Sequence, residues 1–469
     1  MAYLLRPNDD FFLELRERHI VAEQLQHSPE QLYQYAQLKD RQIRLLEVLP
    51  DDLKSHRILC RIHEHAMSDL PQYEALSYAW GTGPINRRIV ITEGGFFRRL
   101  DVKECLYSAL WRLRHDSKSR FLWVDAICIN QENMAERSSQ VRIMREIYTR
   151  CLRVVIWLGE KSGHSEEALD LVQTINEVKE YDAMNGILRN LLAQDPRDDR
   201  LPIGYSRIWH DFFGLLKRPW FKRAWIVQEL ATAPNATIVC GTRQLRWDEF
   251  RSAVLYIGEI AGTGLLPAAL AIHEIQLFTN LGQMRHNFQQ GYQFNALEVL
   301  LCSTHSLATD RRDYIFAFHG LLPSGSQDSS ITTPEYRIKG SSDGTESPEF
   351  IEECVELYTN RAIRLLENHQ NLDLLSVTSV TRKSAISKTS GQTSGLNSGR
   401  SIEHPEIPHT HYVMMAASSC SRVTPWTKLA SSARSSLVFQ KGLTIVVHYS
   451  PLPSFASAFN YKGVFSPPS

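Results

Sequence analysis

The sequence predicts an α/β protein: a mostly parallel sheet flanked by helices, followed by a mainly helical region and a flexible C-terminal tail. Two observations predict the sheet. Short apolar runs of strand length recur through the first third of the chain, and helical patterns lie between several of them. Strands that alternate with helices are typical of βαβ units, which join parallel strands. A Ser/Thr/Gly-rich stretch over residues 381–400 is the third observation, and it predicts a flexible linker.

The predicted strands lie between residues 42 and 158. The first two show partial alternation of apolar and polar residues, whereas the others are apolar runs suited to strands that are buried on both faces. They span residues 42–49, 57–65, 73–80, 88–92, 121–125 and 153–158.

The predicted helices show apolar residues at helical spacing. They span residues 102–115, 132–151, 166–179, 207–217, 247–257, 268–285 and 348–366. A further helix is expected to open at Pro219, because proline in the first turn of a helix costs no hydrogen bond.

These elements predict four segments. Residues 1–39 form a helical N-terminal arm, and residues 40–232 form the α/β domain, with a helical insertion at about 160–217. Residues 233–376 are mainly helical. Residues 377–469 form a low-complexity linker and a poorly ordered or divergent tail, because the stretch from 381 to 400 has no aromatic residue with which to build a core.

Composition narrows the class of protein. The 469 residues contain 52 Lys and Arg against 52 Asp and Glu, so the chain lacks the global positive charge of a nucleic-acid binder. No apolar run reaches the roughly 18–20 residues of a membrane span. The N-terminal residues include acids and arginines in place of a signal peptide, and the eight cysteines form no CxxC pair. We therefore expect a cytoplasmic protein with reduced thiols, no nucleic-acid partner and no membrane span.

Three segments place polar or aromatic residues at the ends of apolar runs, where α/β sheets bind ligands. Residues 73–81 deliver Ser77, Tyr78 and Trp80 to the end of a strand, and Gly81 turns the chain. Residues 122–131 end a strand at Asp125 and bring two amides ahead of a helix, Asn130 and Gln131. The third segment is 218–230.

Trp225 and Glu229 in the third segment are one helical turn apart and would share a face. An indole beside a carboxylate partly desolvates it, which raises the pKa of the acid and suits it to proton transfer or to stabilising a cation. In the alternative interpretation Trp220, Trp225 and Leu230 are core residues, and Glu229 pairs with Arg223 or another base at the surface. The residue pattern alone favours this second interpretation, since structural ion pairs also perturb acids.

Other candidate sites are weaker. Residues 60–65 contain Cys and two His, but no second ligand pair lies at zinc-like spacing, so no metal is predicted. Cys128 lies between two isoleucines, as a small buried hydrophobe does. Residues 310–313 have alternating charges ahead of an apolar run, which is typical of ion pairs at a helix start.

The chain resembles the fungal heterokaryon-incompatibility (HET) domain from about residue 41 to Glu229. The matching motifs occur in the family's order: 43–46, 73–81, 122–131 with the helix that follows through 148, 155–159, 218–220 with Trp225, Gln228 and Glu229, and later 308–310 with 312–313. After residues 372–376 the chain departs from the family pattern, because a basic Ser/Thr stretch and a tail with few acids replace the usual Trp- and Pro-bearing segment.

The resemblance implies a cytosolic effector of fungal non-self recognition that promotes programmed cell death. The HET domain in turn is similar to TIR (Toll/interleukin-receptor) domains, which have a flavodoxin-like sheet. Some TIR domains cleave the nicotinamide–ribose bond of NAD+ with one glutamate in a Trp-x-x-x-Glu segment, to which residues 225–230 are similar. Residues 75–78 are similar to the first TIR strand.

This resemblance implies roles for the candidate residues. Glu229 would be the catalytic carboxylate, Tyr78, Trp80 or Trp225 would stack on a ring, and Asp125, Asn130 and Gln131 would hydrogen-bond the ribose or order the loop. NAD+ would be the substrate, with no cofactor or metal required. Self-association would complete the site, and an unknown protein partner would regulate the protein. The alternative is a non-enzymatic signalling or scaffold module that acts through self-association.

Overall fold

The computed structural model describes residues 31–51, 57–186, 200–202, 206–261, 272–302, 306–340 and 346–369, with the backbone of two further strands near residue 440. The chain divides into two compact units. The first extends to Tyr292 and includes Pro334–Tyr336, and the second contains Gln293–Thr333 and the residues from Arg337 onward. The domain boundary predicted at 232 falls inside the first unit.

Nine strands in the first unit form one sheet. They are β1 (Gln42–Val48), β2 (Leu59–Ala66), β3 (Glu74–Tyr78), β4 (Ile85–Glu93), β5 (Phe96–Lys103), β6 (Arg120–Trp123), β7 (Val154–Gly159), β8 (Ala236–Cys240) and β9 (Arg243–Arg246). Their order across the sheet is β5-β4-β2-β1-β6-β3-β7-β8-β9. In the second unit, β10 (Ser436–Gln440) and β11 (Leu443–Val447) pair antiparallel.

Helices of the first unit follow the strands along the chain. They are α1 (Glu104–Leu113), α2 (Asp125–Cys128), α3 (Met134–Arg142), α4 (Met144–Arg150), α5 (Ser165–Asn185), α6 (Arg207–Leu216), α7 (Ile226–Thr232), α8 (Trp247–Ala261) and α9 (Ile272–Gln289). A 3-10 turn, Pro219–Lys222, lies between α6 and α7, with proline at its first position.

Helices of the second unit are shorter, except for the last. They are α10 (Ala296–Cys302), α11 (Asp313–Phe316), α12 (Gln327–Thr332) and α13 (Pro348–His369). The Asp310–Asp313 ion-pair prediction is confirmed here, because Arg312 binds Asp310 at 2.7 Å directly ahead of α11.

The prediction of a mostly parallel sheet is wrong, because the sheet is mixed. Within it, four of the described pairings are parallel and four are antiparallel. Two of the antiparallel pairings, β4–β5 and β8–β9, are hairpins, whose short turns can only join antiparallel neighbours. In the other two, β1 pairs with β2 and with β6. The α/β class itself is confirmed.

A parallel core of four strands, β6-β3-β7-β8, lies within this mixed sheet. Numbered among themselves in chain order, these strands run 2-1-3-4, which matches the first four positions of the flavodoxin order 2-1-3-4-5. The neighbours on either side, β1 and β9, are antiparallel. The broader flavodoxin or TIR-like assignment therefore stays a prediction.

Burial explains why strands of the parallel core appear in the sequence as short apolar runs. All five residues of β3 and the first five of β7 are buried, because helices cover both faces of a parallel sheet. The β4–β5 hairpin differs: it closes through Gly94 and Gly95, both at positive φ, and most of its side chains are partly or fully exposed.

Several predicted elements change in detail. The helix predicted over 132–151 is divided into α3 and α4 at Ile143, where ψ is 4°. Strands β5, β8 and β9 were not predicted. Most of the predicted N-terminal helical arm lies outside the described residues, and residues 31–39 contain no helix; Leu32 pairs with Arg99. The predicted linker also lies outside the described residues.

Among the described residues, no helix combines the length and the apolar character that crossing a bilayer requires.

Candidate active site at the carboxyl ends of two parallel strands

Adjacent parallel strands β3 and β6 bring the first two predicted segments together. Glu74 lies opposite Leu122 and Ala75 opposite Trp123, so both strands end at the same edge of the sheet. Just beyond these ends, the Trp80 Nε1 donates a hydrogen bond to Asp125 Oδ2 at 3.0 Å. Ligands of open α/β sheets bind at this kind of edge.

The loop that carries Trp80 is held by its backbone. Cys105 Sγ donates to the Trp80 carbonyl and Lys103 Nζ donates to the Gly81 carbonyl, each at 2.9 Å. Gly81 has a φ of +67°, a conformation that side chains with a Cβ rarely adopt. The glycine thus permits the sharp turn, and Trp80 is 37% exposed at this edge of the site.

Consecutive residues of β3 point to opposite faces of the sheet, which separates two predicted site residues. Ser77 faces the helix that carries Glu229 and donates a hydrogen bond to Glu229 Oε2. Its Oγ also accepts a hydrogen bond from Trp220 Nε1 at 2.6 Å. Tyr78 lies on the other face and is 2% exposed.

Glu229 lies in the first turn of α7 and is 1% exposed. Its backbone N–H donates to the Trp225 carbonyl at 3.1 Å, and its carboxylate lies 3.5 Å from Arg223 Nη1. At the other end of the helix, Arg285 donates to the Leu230 carbonyl and, at 2.8 Å, to the Ala233 carbonyl. Both ends of this short helix are thus fixed.

Arg223 connects the two acids of the site. Its guanidinium lies 3.8 Å from Asp125 Oδ2 as well as 3.5 Å from Glu229 Oε2. With both carboxyl groups ionised, the three side chains Asp125, Arg223 and Glu229 carry a net charge of −1. We call these three residues the acid–arginine cluster.

The pKa values in the cluster depend first on burial and then on the charges of its members. Burial raises the pKa of Glu229, Arg223 lowers it, and Asp125 raises it further, so the pKa lies above its usual value. Burial likewise raises the pKa of Asp125, against the opposing effects of Arg223 and Trp80. For Arg223, burial lowers the pKa, but the two carboxylates outweigh it and hold the pKa above its usual value.

This raised pKa predicts a pH dependence of stability. The folded-state pKa of Glu229 lies above that of the unfolded chain. Its contribution to the free energy of unfolding is therefore complete below the unfolded pKa and is lost as the pH rises through the folded pKa. Glu229→Gln removes that loss. We expect the free energy of unfolding of Glu229→Gln, relative to wild type, to increase from about pH 4 to about pH 8 in denaturant titrations. A constant or decreasing difference would contradict the raised pKa.

The loop after β6 is ordered around Asp125. The Ala126 N–H donates to Asp125 Oδ1 at 2.7 Å, and Gln131 Nε2 donates to the Asp125 carbonyl at 2.9 Å. Asn130 Oδ1 accepts from the Glu132 N–H at 3.2 Å, which makes it part of the turn before α3. Both amides therefore contact the loop, as the loop-ordering interpretation expects.

A buried arginine also holds this loop in place through hydrogen bonds. Arg44 is fully buried and donates to the Cys128 carbonyl at 3.1 Å and to Glu136 at 2.6 Å. Cys128 is itself fully buried, and burial raises the pKa of its thiol to about 12, so it packs as a neutral group. The interpretation of Cys128 as a small buried hydrophobe is confirmed.

Of the predicted site residues, Ser77, Trp80, Asp125 and Glu229 come together. Trp225 lies at the N-cap of α7 and is half-buried, and the indole linked to Glu229 through Ser77 is that of Trp220. The pairing of Glu229 with Arg223 was expected at the surface and is instead buried.

The sequence did not indicate that Trp220 and Tyr148 lie beside the candidate site. Tyr148 is fully buried, and burial raises the pKa of its phenol well above its usual value, with Glu229 and Asp125 adding to the rise. Its place in a helical apolar stripe gave no signal beyond core packing. For Trp220, the signal is its position directly after Arg218-Pro219, at the start of the 3-10 turn Pro219–Lys222.

Comparison with known proteins shows what the region that carries this site is similar to. Residues 73–229 match the family model described as heterokaryon incompatibility protein (HET). The match begins just before β3 and ends at Glu229, so it contains the whole acid–arginine cluster.

A curated relative extends the similarity. The chain is 27% identical over 334 residues to heterokaryon incompatibility protein 6, OR allele, from Neurospora crassa. The alignment covers 63% of this chain and 49% of the relative, so the chain spans about half the length of that protein. No solved structure matches. Both comparisons support the family resemblance found in the sequence: residues 73–229 match the heterokaryon incompatibility (HET) family model, and the chain is similar to a heterokaryon incompatibility protein.

Proposed function

We propose that this protein acts in heterokaryon incompatibility and promotes cell death by hydrolysing the nicotinamide–ribose bond of NAD+. The acid–arginine cluster beneath the exposed indole of Trp80 carries this proposal. Two carboxylates against one guanidinium leave a negative charge in a poorly solvated place, which favours a ligand with delocalised positive charge. The pyridinium ring of NAD+ is such a ligand, and Trp80 offers a surface for stacking.

A single carboxylate is enough for the proposed hydrolysis of the nicotinamide–ribose bond. When the C–N glycosidic bond breaks, its electron pair leaves with the ring as neutral nicotinamide, and positive charge develops on the ribose. Glu229 stabilises that charge, and water then adds to the ribose carbon and releases a proton, which gives ADP-ribose. The electrostatic interaction between Glu229 and the developing positive charge is strong because little water screens this buried carboxylate.

Access to Glu229 requires a rearrangement in this proposal. Glu229 is almost completely buried and contacts Arg223, whose distances of 3.5 Å to Glu229 and 3.8 Å to Asp125 are long for charged hydrogen bonds. A substrate diphosphate exchanges for these contacts, so Arg223 turns toward the phosphates and Glu229 becomes available to the ribose.

Incubation of the purified full chain with NAD+ tests the activity. We expect nicotinamide and ADP-ribose to appear in equal amounts by liquid chromatography. Unchanged NAD+ under conditions in which the protein kills cells would overturn the enzymatic proposal.

Trp80 provides a prediction about binding. Trp80→Ala removes the stacking surface, which is worth about 1–3 kcal/mol, so we expect KM for NAD+ to rise roughly 5- to 150-fold with kcat less affected. Trp80→Phe is the matched control, because it keeps a ring and loses only the hydrogen bond to Asp125. Equal KM values for the alanine and phenylalanine variants would contradict stacking.

One observation favours a second candidate, a non-enzymatic module that signals through self-association. Glu229 is almost completely buried and has both Ser77 and Arg223 as partners, as a structural carboxylate does. This candidate predicts that toxicity survives Glu229→Gln but is lost when a bulky residue replaces exposed Thr149 on α4. Size-exclusion chromatography would then show the loss of the oligomer in the second variant alone.

A further inference from the structure

Ser77 lies between an indole and the candidate catalytic carboxylate. Trp220 Nε1 donates to Ser77 Oγ at 2.6 Å, and Ser77 Oγ donates to Glu229 Oε2. All three side chains are 1% exposed. The hydrogen bonds therefore form a short chain, Trp220 to Ser77 to Glu229, that is closed to solvent.

The indole fixes the direction of the serine hydroxyl. A serine has one hydroxyl proton that rotates to the best acceptor, whereas the indole nitrogen can only donate. Because Trp220 occupies one lone pair of Ser77 Oγ, the proton of the hydroxyl turns to the remaining acceptor, which is Glu229 Oε2. Trp220 thereby sets the direction of a hydrogen bond that it does not itself make.

Trp220 is a rigid donor because aromatic side chains surround it. Its ring lies edge-on to Phe221 with centroids 4.9 Å apart, and the Trp247 ring lies 6.3 Å away. Trp247 in turn stacks on Phe278 at 4.8 Å. Close-packed rings of this kind leave the indole little rotational freedom.

We propose that Trp220 and Ser77 are positioning residues that hold the Glu229 carboxylate in one orientation, so that its other oxygen is presented to the ribose. This inference rests on the proposed NAD+ hydrolysis. It replaces the substrate-binding role predicted for Ser77, whose hydroxyl already has two partners and no access to solvent. Asp125, Arg223 and Trp80 remain as the residues nearest to a substrate.

A pair of tryptophan variants tests the proposal. Trp220→Phe keeps a ring in the aromatic cluster but removes the N–H that reaches Ser77. Trp247→Phe is the matched control: it lies in the same cluster and is fully buried, and its Nε1 has no hydrogen-bond partner among the described residues. Both variants lose one indole ring, and only the first loses the hydrogen-bond chain.

We expect kcat for NAD+ hydrolysis by Trp220→Phe to fall about tenfold or more, with KM within about twofold of wild type, because a misplaced catalytic group lowers the rate of the chemical step. Trp247→Phe should keep both constants within about twofold of wild type. Ser77→Ala should lower kcat at least as much as Trp220→Phe, and the double variant should lose no more than Ser77→Ala alone.

A second readout does not depend on turnover. The Ser77 hydroxyl favours the ionised form of Glu229, so the Glu229 pKa, measured by carbon-13 NMR, should rise in Trp220→Phe and stay unchanged in Trp247→Phe. Wild-type kcat and an unchanged pKa in Trp220→Phe, or additive losses in the double variant, would overturn the inference. Absence of NAD+ hydrolysis by wild type would overturn the proposed function, while the pKa comparison would still decide whether Trp220 orients the carboxylate.

Discussion

Glu229→Gln is expected to lower NAD+ hydrolysis by at least about 100-fold while the protein remains folded. The amide keeps the shape of the side chain and still accepts a hydrogen bond from Ser77, but it carries no negative charge to stabilise the developing cation on the ribose. Arg223 keeps Asp125 as a partner, so no buried guanidinium is left alone. Turnover of NAD+ and the circular dichroism spectrum of the purified variant measure the two halves of this prediction.

The control for this variant is the same substitution at an exposed acid. Glu167 lies in the first turn of α5 with a side chain 62% exposed, so Glu167→Gln should leave NAD+ turnover unchanged. If Glu229→Gln retains wild-type turnover, the carboxylate is structural and the enzymatic proposal fails. If both variants lose activity equally, the loss does not come from the acid–arginine cluster.

Of the substitutions proposed for this protein, Arg312→Met is expected to lower stability the most, by about 3–5 kcal/mol in the second unit. Removing one partner of a buried ion pair leaves an uncompensated buried charge. Arg312 has a fully buried side chain and binds Asp310 at 2.7 Å and Glu353 at 2.9 Å. Glu353 also accepts hydrogen bonds from the backbone of Arg337 and Ile338, so the arginine neutralises two acids that fix three segments. Denaturant unfolding of the full chain measures the change.

The neighbouring residue supplies the control. Arg311 pairs with Glu346 at 2.9 Å, but its side chain is 45% exposed, so water replaces the lost contact in Arg311→Met. We expect that variant to lose less than about 1 kcal/mol. Similar losses for the two substitutions would show that burial does not set the cost of breaking these pairs.

The parts of the fold that the sequence predicted are those in which burial dominates. Strands β3 and β7 are buried along almost their whole length, and both were placed within two residues of their observed bounds. Strand β5 has the sequence FFRRLDVK, whose exposed charges hide its alternation, and the next helix begins directly after it at Glu104. Strands β5 and β9, at the two margins of the sheet, were missed because most of their side chains are partly or fully exposed. Strand β8 was missed although four of its five residues are buried.

The sequence predicted both acids of the candidate site and the exposed indole of Trp80, but not the buried indole of Trp220. Glu229 and Asp125 follow from their positions beside apolar segments. The bond from Trp220 to Ser77 joins residues 143 positions apart in the sequence, and no spacing rule relates them. Trp225 has the helical spacing to Glu229 that a sequence pattern can detect, but α7 begins only at Ile226, which leaves Trp225 at its N-cap. Local periodicity therefore found the helix and could not find its long-range partner.

The hairpin of β4 and β5 offers a practical site for labelling. Its two-residue turn, Gly94 and Gly95, has no atom near the position that a Cβ would occupy, and strands β2 and β1 separate the hairpin from β6. A fluorophore or an affinity tag inserted between these glycines would protrude from the far margin of the sheet. Experiments on living cells could then follow the protein with Trp80 and its neighbours untouched.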